Sequence, residues 1–402
     1  MSGIFPRVPF WAAAFVVALV SQAGSVFAQG AKNEIVIGYS VSLTGKFGTE
    51  GSDMHRAYQL WAEEVNKQGG IDVKQSGKKL PVKLTHYDDS SDTNTALRNY
   101  ERLMSRDAVD VLFSPWGSGI NFAVTSLTEK SKYPMVLSSA ASDAIFNRGF
   151  KYIFASTQMA STLFNGLADL IAANKGEIKT VAIVYENFLF TQSLRKAVLP
   201  RLEKAGIKVV ADEQYPLGGQ DFTSLLTKIK SEKPDAFIAI NIMPASVYIT
   251  RQMAEAGLKP KLYAVNIGPM YRQEFVEKLG AQSENILENG FWHHDLPYEG
   301  AKKFYEQYEA RYKRPPSTDA AYGYISGQIM RQAIEQAGTL DREKIAGVLR
   351  GGKFGTVLGT YEYDERGVNK QQLSFVAQVQ GGKRVIVWPK EIATATPRLS
   401  AQ

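Results

Sequence analysis

The sequence of 402 residues contains no cysteine. Structural disulfides are therefore excluded, and a chain of this length must rest on a hydrophobic core, which it can build as two domains. A bacterial lipid anchor is excluded as well. That anchor needs a cysteine at the first position after the cleavage site, and the cleavage site predicted below places Gln29 there.

Histidine is also scarce, and the motifs of catalysis are missing. None of the four histidines lies four residues from another, the spacing that places two imidazoles of one helix on a metal; they are His55, His86, His293 and His294. The nucleophile elbow Gly-x-Ser-x-Gly is absent at Ser118, because Trp116 stands where its first glycine belongs. The two Gly-Lys-Phe-Gly segments, at 45–48 and 352–355, lack the spacing of a phosphate-binding loop. We therefore expect no enzyme, no metal and no cofactor.

The excess of positive charge is small. Lys and Arg number 47 against 40 Asp and Glu, and removal of Arg7 with the segment described below leaves 46, a net charge of +6. The densest basic clusters are isolated pairs at 78–79, 302–303 and 313–314, without interleaved aromatic side chains on which bases could stack. The charge predicts a solvated surface and no nucleic-acid partner.

The N-terminus has the pattern of a secretory signal peptide. A single Arg7 precedes an apolar run from Val8 to Val20, and Val26-Phe27-Ala28 has the residue spacing of a cleavage site. We predict a cleaved signal peptide over residues 1–28, a mature chain from Gln29 and a periplasmic protein. The alternative is an uncleaved membrane anchor, although no later segment has the roughly 20 apolar residues of a spanning helix.

Short β-branched runs alternate with longer amphipathic stretches along the chain. This alternation is typical of parallel strands joined by crossover helices. A first series begins at Glu34–Tyr39 and ends with the strand Met135–Leu137, and a second series opens with the strand Val181–Tyr185. The pattern predicts an α/β protein with two doubly wound lobes that face each other across a cleft.

The second half of the chain carries four further predictions. The spacing of apolar residues predicts one helix over 159–174 and a helical region from 298 to 349. Antiparallel strands are expected between 359 and 388. We expect the tail from Ile392 to be frayed, as chain termini often are.

Two polar turns follow successive strands of the first series. Ser114–Ser118 follows the third predicted strand, and Ser138–Ser142 follows Met135–Leu137. Because the carboxyl ends of parallel strands meet at one edge of a sheet, ligands bind there. The Ser118 hydroxyl and the N–H groups at a helix N-terminus suit a carboxylate, and Trp116 would wall the cleft. The alternative is that both turns are ordinary loops with N-caps.

A set of short motifs occurs in a characteristic order through nearly the whole mature chain. The motifs are Ile35-Val36-Ile37-Gly38, Ser42-Leu43-Thr44-Gly45, Gly69-Gly70-Ile71, Tyr87-Asp88-Asp89-Ser90-Ser91-Asp92, Trp116-Gly117-Ser118-Gly119, Asn147-Arg148-Gly149-Phe150, Ile183-Val184-Tyr185-Glu186-Asn187, Gly219-Gln220-Asp221-Phe222 and Gly290-Phe291-Trp292. In this order and spacing the chain resembles the periplasmic solute-binding proteins of branched-chain amino acid ABC transporters, the Leu/Ile/Val-binding type.

The resemblance implies the type I periplasmic binding fold, in which two Rossmann-like doubly wound lobes are joined by three crossover strands. We place these strands near Ala155, Trp292 and Thr360. The lobes, each built from two segments, comprise residues 29–155 plus 293–360 and residues 156–292 plus 361–402. Such receptors close on a ligand by a hinge, and a membrane permease recognises the closed form. We expect a monomer.

The resemblance also implies ligand contacts. The carboxylate-binding serine of the family corresponds to Ser118 and its second hydroxyl to Ser142, with backbone groups near Ala140 and Ala141 completing the pocket. An aromatic residue of the other lobe corresponds to Phe190. The remaining predicted contacts are Phe47 at the entrance, Trp116, Gly117, Ser139, Met243 and Asn266.

One of these positions departs from the family. Amino-acid binders have an acidic residue after the strand that ends at Ala264, where it neutralises the ligand ammonium, and Asn266 stands there in this chain. A buried ammonium without a counter-ion costs several kcal/mol. Asn266 therefore favours an aromatic or short aliphatic carboxylate without an amino group, with His293 expected nearby, unless Glu274 or Asp295 supplies the charge. Both ligand classes, amino acid and amine-free carboxylate, stay open.

The sequence as a whole favours a transport receptor that captures a small carboxylate-bearing ligand for the permease of an ABC importer. A ligand-sensing subunit of a membrane kinase would use the same fold. An exported enzyme would need a nucleophile, a metal or a paired acid that the sequence does not show.

Overall fold

The computed structural model describes residues 1–3, 32–266, 273–371 and 373–399. The elements below lie in the compact unit Asn33–Gln402. Apart from its first three residues, the predicted signal peptide over 1–28 falls outside the described residues and stays a prediction. Within the described ranges, no helix has both the length and the apolar character of a membrane span.

Strands and helices alternate through most of the chain. The strands are β1 (Ile35–Val41), β2 (Ile71–Val73), β3 (Lys78–Leu80), β4 (Val82–Asp88), β5 (Val111–Phe113), β6 (Met135–Leu137), β7 (Ile153–Ala155), β8 (Thr180–Glu186), β9 (Lys208–Tyr215), β10 (Ala236–Ile240), β11 (Leu262–Val265), β12 (Leu287–Gly290), β13 (Phe354–Thr356), β14 (Gly359–Tyr361), β15 (Phe375–Gln380) and β16 (Lys383–Trp388). The helices are α1 (Gly48–Lys67), α2 (Thr93–Ser105), α3 (Ser118–Lys130), α4 (Asp143–Phe146), α5 (Ala160–Leu163), α6 (Asn165–Ala173), α7 (Leu189–Lys204), α8 (Thr223–Ser231), α9 (Met243–Glu255), α10 (Gln273–Leu279), α11 (Ala301–Tyr312), α12 (Thr318–Ala337) and α13 (Arg342–Gly351).

The first sheet is parallel throughout, in the order β4-β1-β5-β6-β7. The strands β5, β6 and β7 are buried at every residue, which explains why they read as short apolar runs. The strand order reverses direction between β1 and β5. At such a point the loops on either side diverge and leave a crevice at the carboxyl edge of the sheet.

The second sheet has the order β16-β15-β12-β11-β10-β8-β9. The strands from β9 to β12 are parallel, and β15 and β16 add an antiparallel edge. The strand order reverses between β8 and β10, so this sheet too has a crevice at its carboxyl edge. One parallel sheet and one mostly parallel sheet, each with helices between its strands, confirm the predicted α/β class with two Rossmann-like lobes.

The chain passes between the two sheets three times. It leaves the first sheet after β7, leaves the second after β12, and returns from the β13–β14 hairpin to β15. The first and third passages lie side by side: Tyr361 Oη donates a hydrogen bond of 2.6 Å to the Ser156 carbonyl, and the Ala155 N–H donates one of 2.8 Å to the Gly367 carbonyl. The division of the lobes at residues 155, 292 and 360 stays a prediction.

The last long helices return to the first sheet. Helix α12 packs along α1, and the contact is close at Gly327, where an added Cβ would lie 2.3 Å from the Trp61 ring. A side chain at this position would push the two helices apart, so glycine is required there. This packing brings the first turn of α12 to the carboxyl edge of the first sheet, beside the loop that follows β5.

Two sequence predictions are wrong in this part of the molecule. The helix predicted over 159–174 is two helices, α5 and α6, because the backbone at Phe164 departs from helical geometry, with φ −88° and ψ 8°. The tail after Ile392 is not frayed over its described residues. The Thr394 N–H donates a hydrogen bond of 2.8 Å to the Ile386 carbonyl, and the Arg398 N–H donates one of 2.9 Å to Gln378 Oε1. These bonds fix the tail against β15 and β16.

Candidate ligand site between the two sheets

A small cavity of about 40 Å³ lies where loops from the two sheets meet. One side is formed by the turns after β5 and β6 and by the first turn of α12, and the other by the loop after β8 and the start of α7. The residues that line the cavity are Trp116, Gly117, Ser118, Ser138, Ser139, Ala140, Ala141, Thr157, Phe188, Phe190, Phe291, Thr318, Asp319 and Tyr322. Its size restricts an enclosed occupant to a small molecule.

Buried hydrogen bonds fix the turn after β5. Gly117 precedes α3 with φ 86°, a backbone angle that favours glycine. Asn121 Nδ2 donates to the carbonyls of Pro115, at 2.8 Å, and Ser139, at 3.2 Å. The same side chain therefore holds the turn after β5 against the turn after β6, and it sets the positions of both walls before a ligand arrives.

Several hydrogen-bond donors of the cavity have no acceptor among the described residues. The Ser118 and Ser139 hydroxyls accept hydrogen bonds, from the Ser142 N–H at 3.3 Å and the Gly117 N–H at 3.2 Å, so their own hydrogens are left to donate. The backbone N–H groups of Ala140 and Ala141 make no hydrogen bond within the described chain, although both residues are buried. Buried donors without acceptors are rare in native proteins, so these groups are available to hydrogen-bond a bound molecule or water.

Two more hydroxyls of the lining lack a partner. Thr157 Oγ1 follows β7, and Thr318 Oγ1 begins α12; both atoms are buried and unpaired in the part of the chain that the structure describes. Together with the turns after β5 and β6, they give the cavity hydrogen-bonding groups from three strand ends and one helix N-terminus. These groups suit a polar or anionic ligand group.

Aromatic rings meet beside the cavity from both lobes. The Trp116 and Phe188 rings are nearly parallel, with centroids 6.4 Å apart, and Phe47 contacts both of them, at 4.7 Å and 5.7 Å. Phe47 and Trp116 come from loops of the first sheet, whereas Phe188 comes from the second. These three rings therefore form an apolar cluster that joins the two lobes beside the cavity.

A carboxylate also lines the cavity. Asp319 lies in the first turn of α12 and is 2% exposed, and its Oδ1 accepts a hydrogen bond of 2.7 Å from the Trp116 indole Nε1. The N-terminus of a helix stabilises negative charge. No Lys, Arg or His belongs to the described lining, so Asp319 is the charged side chain among the lining residues.

A network of hydroxyl groups supports the floor of the cavity. Ser138 Oγ lies 2.6 Å from Tyr58 Oη and 2.8 Å from Ser326 Oγ, which in turn lies 2.9 Å from Ser156 Oγ. Burial raises the pKa of Tyr58, so the phenol stays neutral and can donate. The network connects β6, β7, α1 and α12 and holds the first lobe's side of the cavity in place.

The predicted site residues fall into three groups. Seven of them line the cavity together: Trp116, Gly117, Ser118, Ser139, Ala140, Ala141 and Phe190. Phe47 belongs to the aromatic cluster beside the cavity, and Ser142 lies behind the wall, where its Oγ is 2.8 Å from Ser193 Oγ of α7. Met243 and Asn266 do not belong to the lining. Their role as ligand contacts stays a prediction.

Asn266 belongs to a polar cluster of the second lobe. Its Oδ1 accepts a hydrogen bond of 2.5 Å from the Asn241 N–H, and the residue is fully buried. Nearby, Glu186 accepts hydrogen bonds from the Gly218 and Ile242 N–H groups, at 2.8 Å and 3.0 Å, and burial raises the pKa of this carboxyl. Asn266 and Glu186 therefore hold the loops at the carboxyl edge of the second sheet.

The other acids considered for the ligand charge lie elsewhere. Glu274 forms an ion pair with Arg314, and Asp295 lies near His293 and His294, with nitrogen–oxygen distances of 3.6 Å and 3.5 Å. None of these residues lines the cavity, so the expectation that His293 lies beside the ligand is not supported by the lining.

Half of the lining residues were not named as ligand contacts from the sequence. They are Ser138, Thr157, Phe188, Phe291, Thr318, Asp319 and Tyr322. Ser138 begins the predicted turn Ser138–Ser142 without having been named individually, and Phe188 directly follows the motif at 183–187. The Ser317-Thr318-Asp319 sequence has the composition of a helix N-cap, and Ser317 Oγ does accept from the Ala320 N–H at 3.3 Å. This N-cap sequence predicts where the helix begins, but it does not predict that the first turn of the helix lies at the cavity.

Two neighbouring features lie outside this cavity. A second cavity, of about 250 Å³, is lined by uncharged residues from the three passages between the sheets, and Thr157 borders both cavities. The side chains of His293, His294 and Asp295 place one ligand-type atom each within 4.8 Å of one another. Burial lowers the pKa of both histidines, and the positive charge of Arg384 lowers it further, an environment that also disfavours a bound cation.

Known proteins share this architecture. Residues 34–383 match the family described as periplasmic binding protein. The chain belongs to the periplasmic binding protein family. This confirms the resemblance drawn from the motifs. Among relatives of this periplasmic binding protein, the Leu/Ile/Val-binding protein homolog 7 of Brucella suis biovar 1 (strain 1330) is 23% identical over 393 residues, which cover 92% of this chain and 95% of the relative.

Two solved structures resemble this periplasmic binding protein in fold. The branched-chain amino acid transporter substrate binding protein LivJ from Streptococcus pneumoniae, in complex with isoleucine, has a TM-score of 0.76 at 22% identity, with 89% of this chain and 100% of that chain covered. An ABC transporter solute binding protein from R. palustris, in complex with benzoate, has a TM-score of 0.77 at 19% identity, with 91% and 97% covered. At these identities the likeness establishes the two-lobed fold.

Proposed function

We propose that this protein is the periplasmic solute-binding receptor of an ABC importer and that it captures a small carboxylate-bearing ligand in the cavity between its lobes. The observation that carries the proposal is the set of buried donors at the turns after β5 and β6 that lack acceptors in the described chain. Relatives named for leucine, isoleucine and valine binding, and similar structures that hold isoleucine or benzoate, support a ligand of this class.

The arrangement suits a carboxylate in a specific way. Ser118 begins α3, where the helix N-terminus favours negative charge. The hydroxyls of Ser118 and Ser139 and the N–H groups of Ala140 and Ala141 belong to neighbouring turns, so they can donate to the two oxygens of one carboxylate. Hydrogen bonds to a charged group contribute more than neutral ones, about 1.5–3 kcal/mol each.

The two lobes would close over the bound ligand. The cavity is lined from both sheets, and the Phe47, Trp116 and Phe188 rings contact one another across the lobes, so a bound ligand would touch both lobes at once. Ligand binding therefore favours the closed form, which presents both lobes to a permease in one arrangement. A receptor of this kind needs affinity and hinge closure and no chemical step.

A binding assay with stripped protein tests the proposal. The purified protein is unfolded and refolded to remove carried ligand, and a panel of small carboxylates, including branched-chain amino acids and benzoate, is screened by thermal shift and titrated by calorimetry. We expect at least one carboxylate to bind, and Ser118→Ala to weaken its binding roughly 10- to 100-fold through the lost charged hydrogen bond.

The matched control is Ser224→Ala, which removes an exposed serine hydroxyl on α8, far along the chain from either turn. This variant should bind like the parent protein. The proposal fails if no carboxylate of the panel stabilises the stripped protein, or if Ser118→Ala binds as tightly as Ser224→Ala.

A further inference from the structure

The second cavity, of about 250 Å³, lies among the three passages that join the two sheets. Gln158 lines it from the first passage, Tyr298 from the loop that follows the second, and Thr360 and Asn369 from the third. The cavity at the turns after β5 and β6 is smaller, with a volume of about 40 Å³. An occupant of the second cavity would therefore contact all three passages, and it can be larger than a ligand of the first.

The side chain of Gln158 has no partner at either end of its amide group. The residue is 5% exposed, and both Oε1 and Nε2 are buried without a hydrogen bond among the described residues. Oγ1 of the adjacent Thr157, which also lines this cavity, is buried and unpaired in the same way. Burial of such groups without a partner destabilises a folded chain, and native proteins rarely leave them so. These atoms are therefore available to a molecule in the cavity.

A second amide of the lining, by contrast, is used within the chain. Asn369 Oδ1 accepts a hydrogen bond of 3.1 Å from the Glu362 N–H, and Asn369 Nδ2 donates one of 2.9 Å to the Gln371 carbonyl. These bonds fix the third passage. Gln158 makes no side-chain hydrogen bond within the described chain, so holding the passages in place does not explain its buried amide.

The lining selects the chemistry of an occupant. None of the described lining residues is charged, so a charged molecule would be buried there without a counter-ion, which is costly. The Gln158 amide presents a donor and an acceptor side by side, and the cyclic amide of a lactam presents an acceptor and a donor that match them. Apolar surface from Leu358, Leu373 and Tyr298 suits the rest of such a ring.

The lining includes both exposed and buried residues. Thr360 and Gln371 are exposed, whereas Thr157, Gln158 and Tyr361 are buried. The cavity therefore extends from the surface of the protein to the unpaired amide, and a molecule can reach Gln158 from solvent.

We propose that this cavity is a second binding site, for an uncharged molecule that carries a lactam-type cyclic amide, and that Gln158 recognises the amide with two hydrogen bonds. The lactam N–H donates to Gln158 Oε1, and the lactam carbonyl accepts from Gln158 Nε2. Gln158 does not line the first cavity, so the proposal does not rest on the proposed receptor function.

A matched pair of small rings tests the proposal. The lactam 2-piperidone is compared with cyclohexanone, a ring of the same size that has a carbonyl but no N–H. Ligand-observed NMR titrations measure both dissociation constants for the parent protein and for Gln158→Leu, which replaces the amide by an apolar group. We expect the parent to bind the lactam at least about 10-fold more tightly than the ketone, and Gln158→Leu to lose that difference by weakening the lactam.

The matched control is Gln282→Leu, which replaces an exposed glutamine that lines neither cavity and should leave both dissociation constants unchanged. Equal binding of the lactam and the ketone by the parent, or unchanged lactam binding by Gln158→Leu, contradicts the proposal. If neither ring binds, the cavity holds water only and the proposal is wrong. No carboxylate enters these titrations, so their failure leaves the receptor function standing, and failure of the carboxylate screen leaves this site standing.

A crystal structure of the parent protein soaked with 2-piperidone locates the molecule without any variant, so a folding defect of Gln158→Leu cannot obscure the result. We expect the lactam beside Gln158, with its N–H and its carbonyl each within about 3.2 Å of the amide atoms. Water alone at Gln158, or the lactam bound only at the turns after β5 and β6, would overturn the proposal.

Discussion

Trp116 Nε1 donates a hydrogen bond of 2.7 Å to Asp319 Oδ1 and so joins two residues that are 203 positions apart in the chain. Trp116 belongs to the turn after β5, and Asp319 belongs to the first turn of α12. Both side chains are buried, at 3% and 2% exposure, so the bond is made away from water. It fixes the late helical segment against the early sheet at the wall of the ligand cavity.

Substitution of Trp116 by phenylalanine removes this bond and keeps an aromatic ring. A buried carboxylate then loses a donor, and we expect the free energy of unfolding to fall by about 1.5–3 kcal/mol, measured by urea denaturation. Trp388→Phe is the matched control, because the Trp388 side chain is partly exposed and its indole donates no hydrogen bond within the described chain. Equal losses in the two variants would show that the Trp116 hydrogen bond contributes nothing.

Gly327 provides a test of the packing between α1 and α12. An alanine Cβ would lie 2.3 Å from the Trp61 ring, so Gly327→Ala should destabilise the protein by about 1–3 kcal/mol through forced displacement of the helices. Gly347 is the control, because it is an exposed glycine of α13 with no atom within 4 Å of an added Cβ. Gly347→Ala should stabilise by about 0.5–1 kcal/mol. Thermal unfolding of both variants shows whether each substitution stabilises or destabilises the protein. An unchanged stability of Gly327→Ala would contradict the close contact.

The local sequence pattern was enough to predict most helices and strands and half of the residues that line the cavity. The β-branched run at Ile35–Val41 and the apolar spacing of Met54, Tyr58 and Trp61 in α1 follow directly from burial on a strand and on one helix face. The turns after β5 and β6 could be placed together because successive parallel strands end at one edge. Adjacent strands therefore predict adjacent loops, and Ser118 and Ser139 do meet in one lining.

The other lining residues could not be predicted, because they reach the cavity only through packing between distant parts of the chain. Thr318 and Asp319 reach the cavity because α12 packs on α1, a contact decided by the fit of Trp61 over Gly327 and by no local motif. The role of Asn266 stays a prediction for a related reason. It lies directly after β11, and its Oδ1 accepts a hydrogen bond from the Asn241 N–H on the neighbouring strand's loop, whereas its buried Nδ2 has no partner among the described residues.

Asp235 gives the stability of the second lobe a dependence on acidic pH. Partial burial alone would raise the pKa of Asp235, but hydrogen bonds from Lys179 and Thr180 and the ion pair with Lys261 outweigh it and lower that pKa to about 2. A lowered folded-state pKa stabilises the protein above the unfolded pKa, near 4, and this contribution disappears as the pH falls from about 4 to about 2.

Asp235→Asn should therefore lower the free energy of unfolding at neutral pH by about 1–2 kcal/mol, less than the full pKa shift implies because solvent screens a side chain that is 22% exposed. The difference from the parent should shrink between pH 4 and pH 2. Urea denaturation over a pH series measures it, with Glu232→Gln as an exposed control. A difference that does not change with pH would contradict the assignment.

Ser142 and Ser193 make a hydrogen bond of 2.8 Å between the lobes. Ser193 Oγ already donates to the Leu189 carbonyl at 2.8 Å, so Ser142 is the donor across the cleft. We expect Ser142→Ala and Ser193→Ala each to weaken ligand binding roughly 2- to 10-fold, because the bond stabilises only the closed form. The double variant should be no weaker than either single variant, since both remove the same bond.

The double variant also tests the role that the family resemblance assigns to Ser142. A serine that contacts the ligand would still contribute to binding when Ser193 is alanine, so Ser142→Ala would then cause a further loss of affinity in the Ser193→Ala background. A hydroxyl that only joins the lobes would cause none. Calorimetry on the four proteins, with a ligand found by the carboxylate screen, distinguishes the two roles, and no loss in either single variant would show that the bond does not contribute to closure.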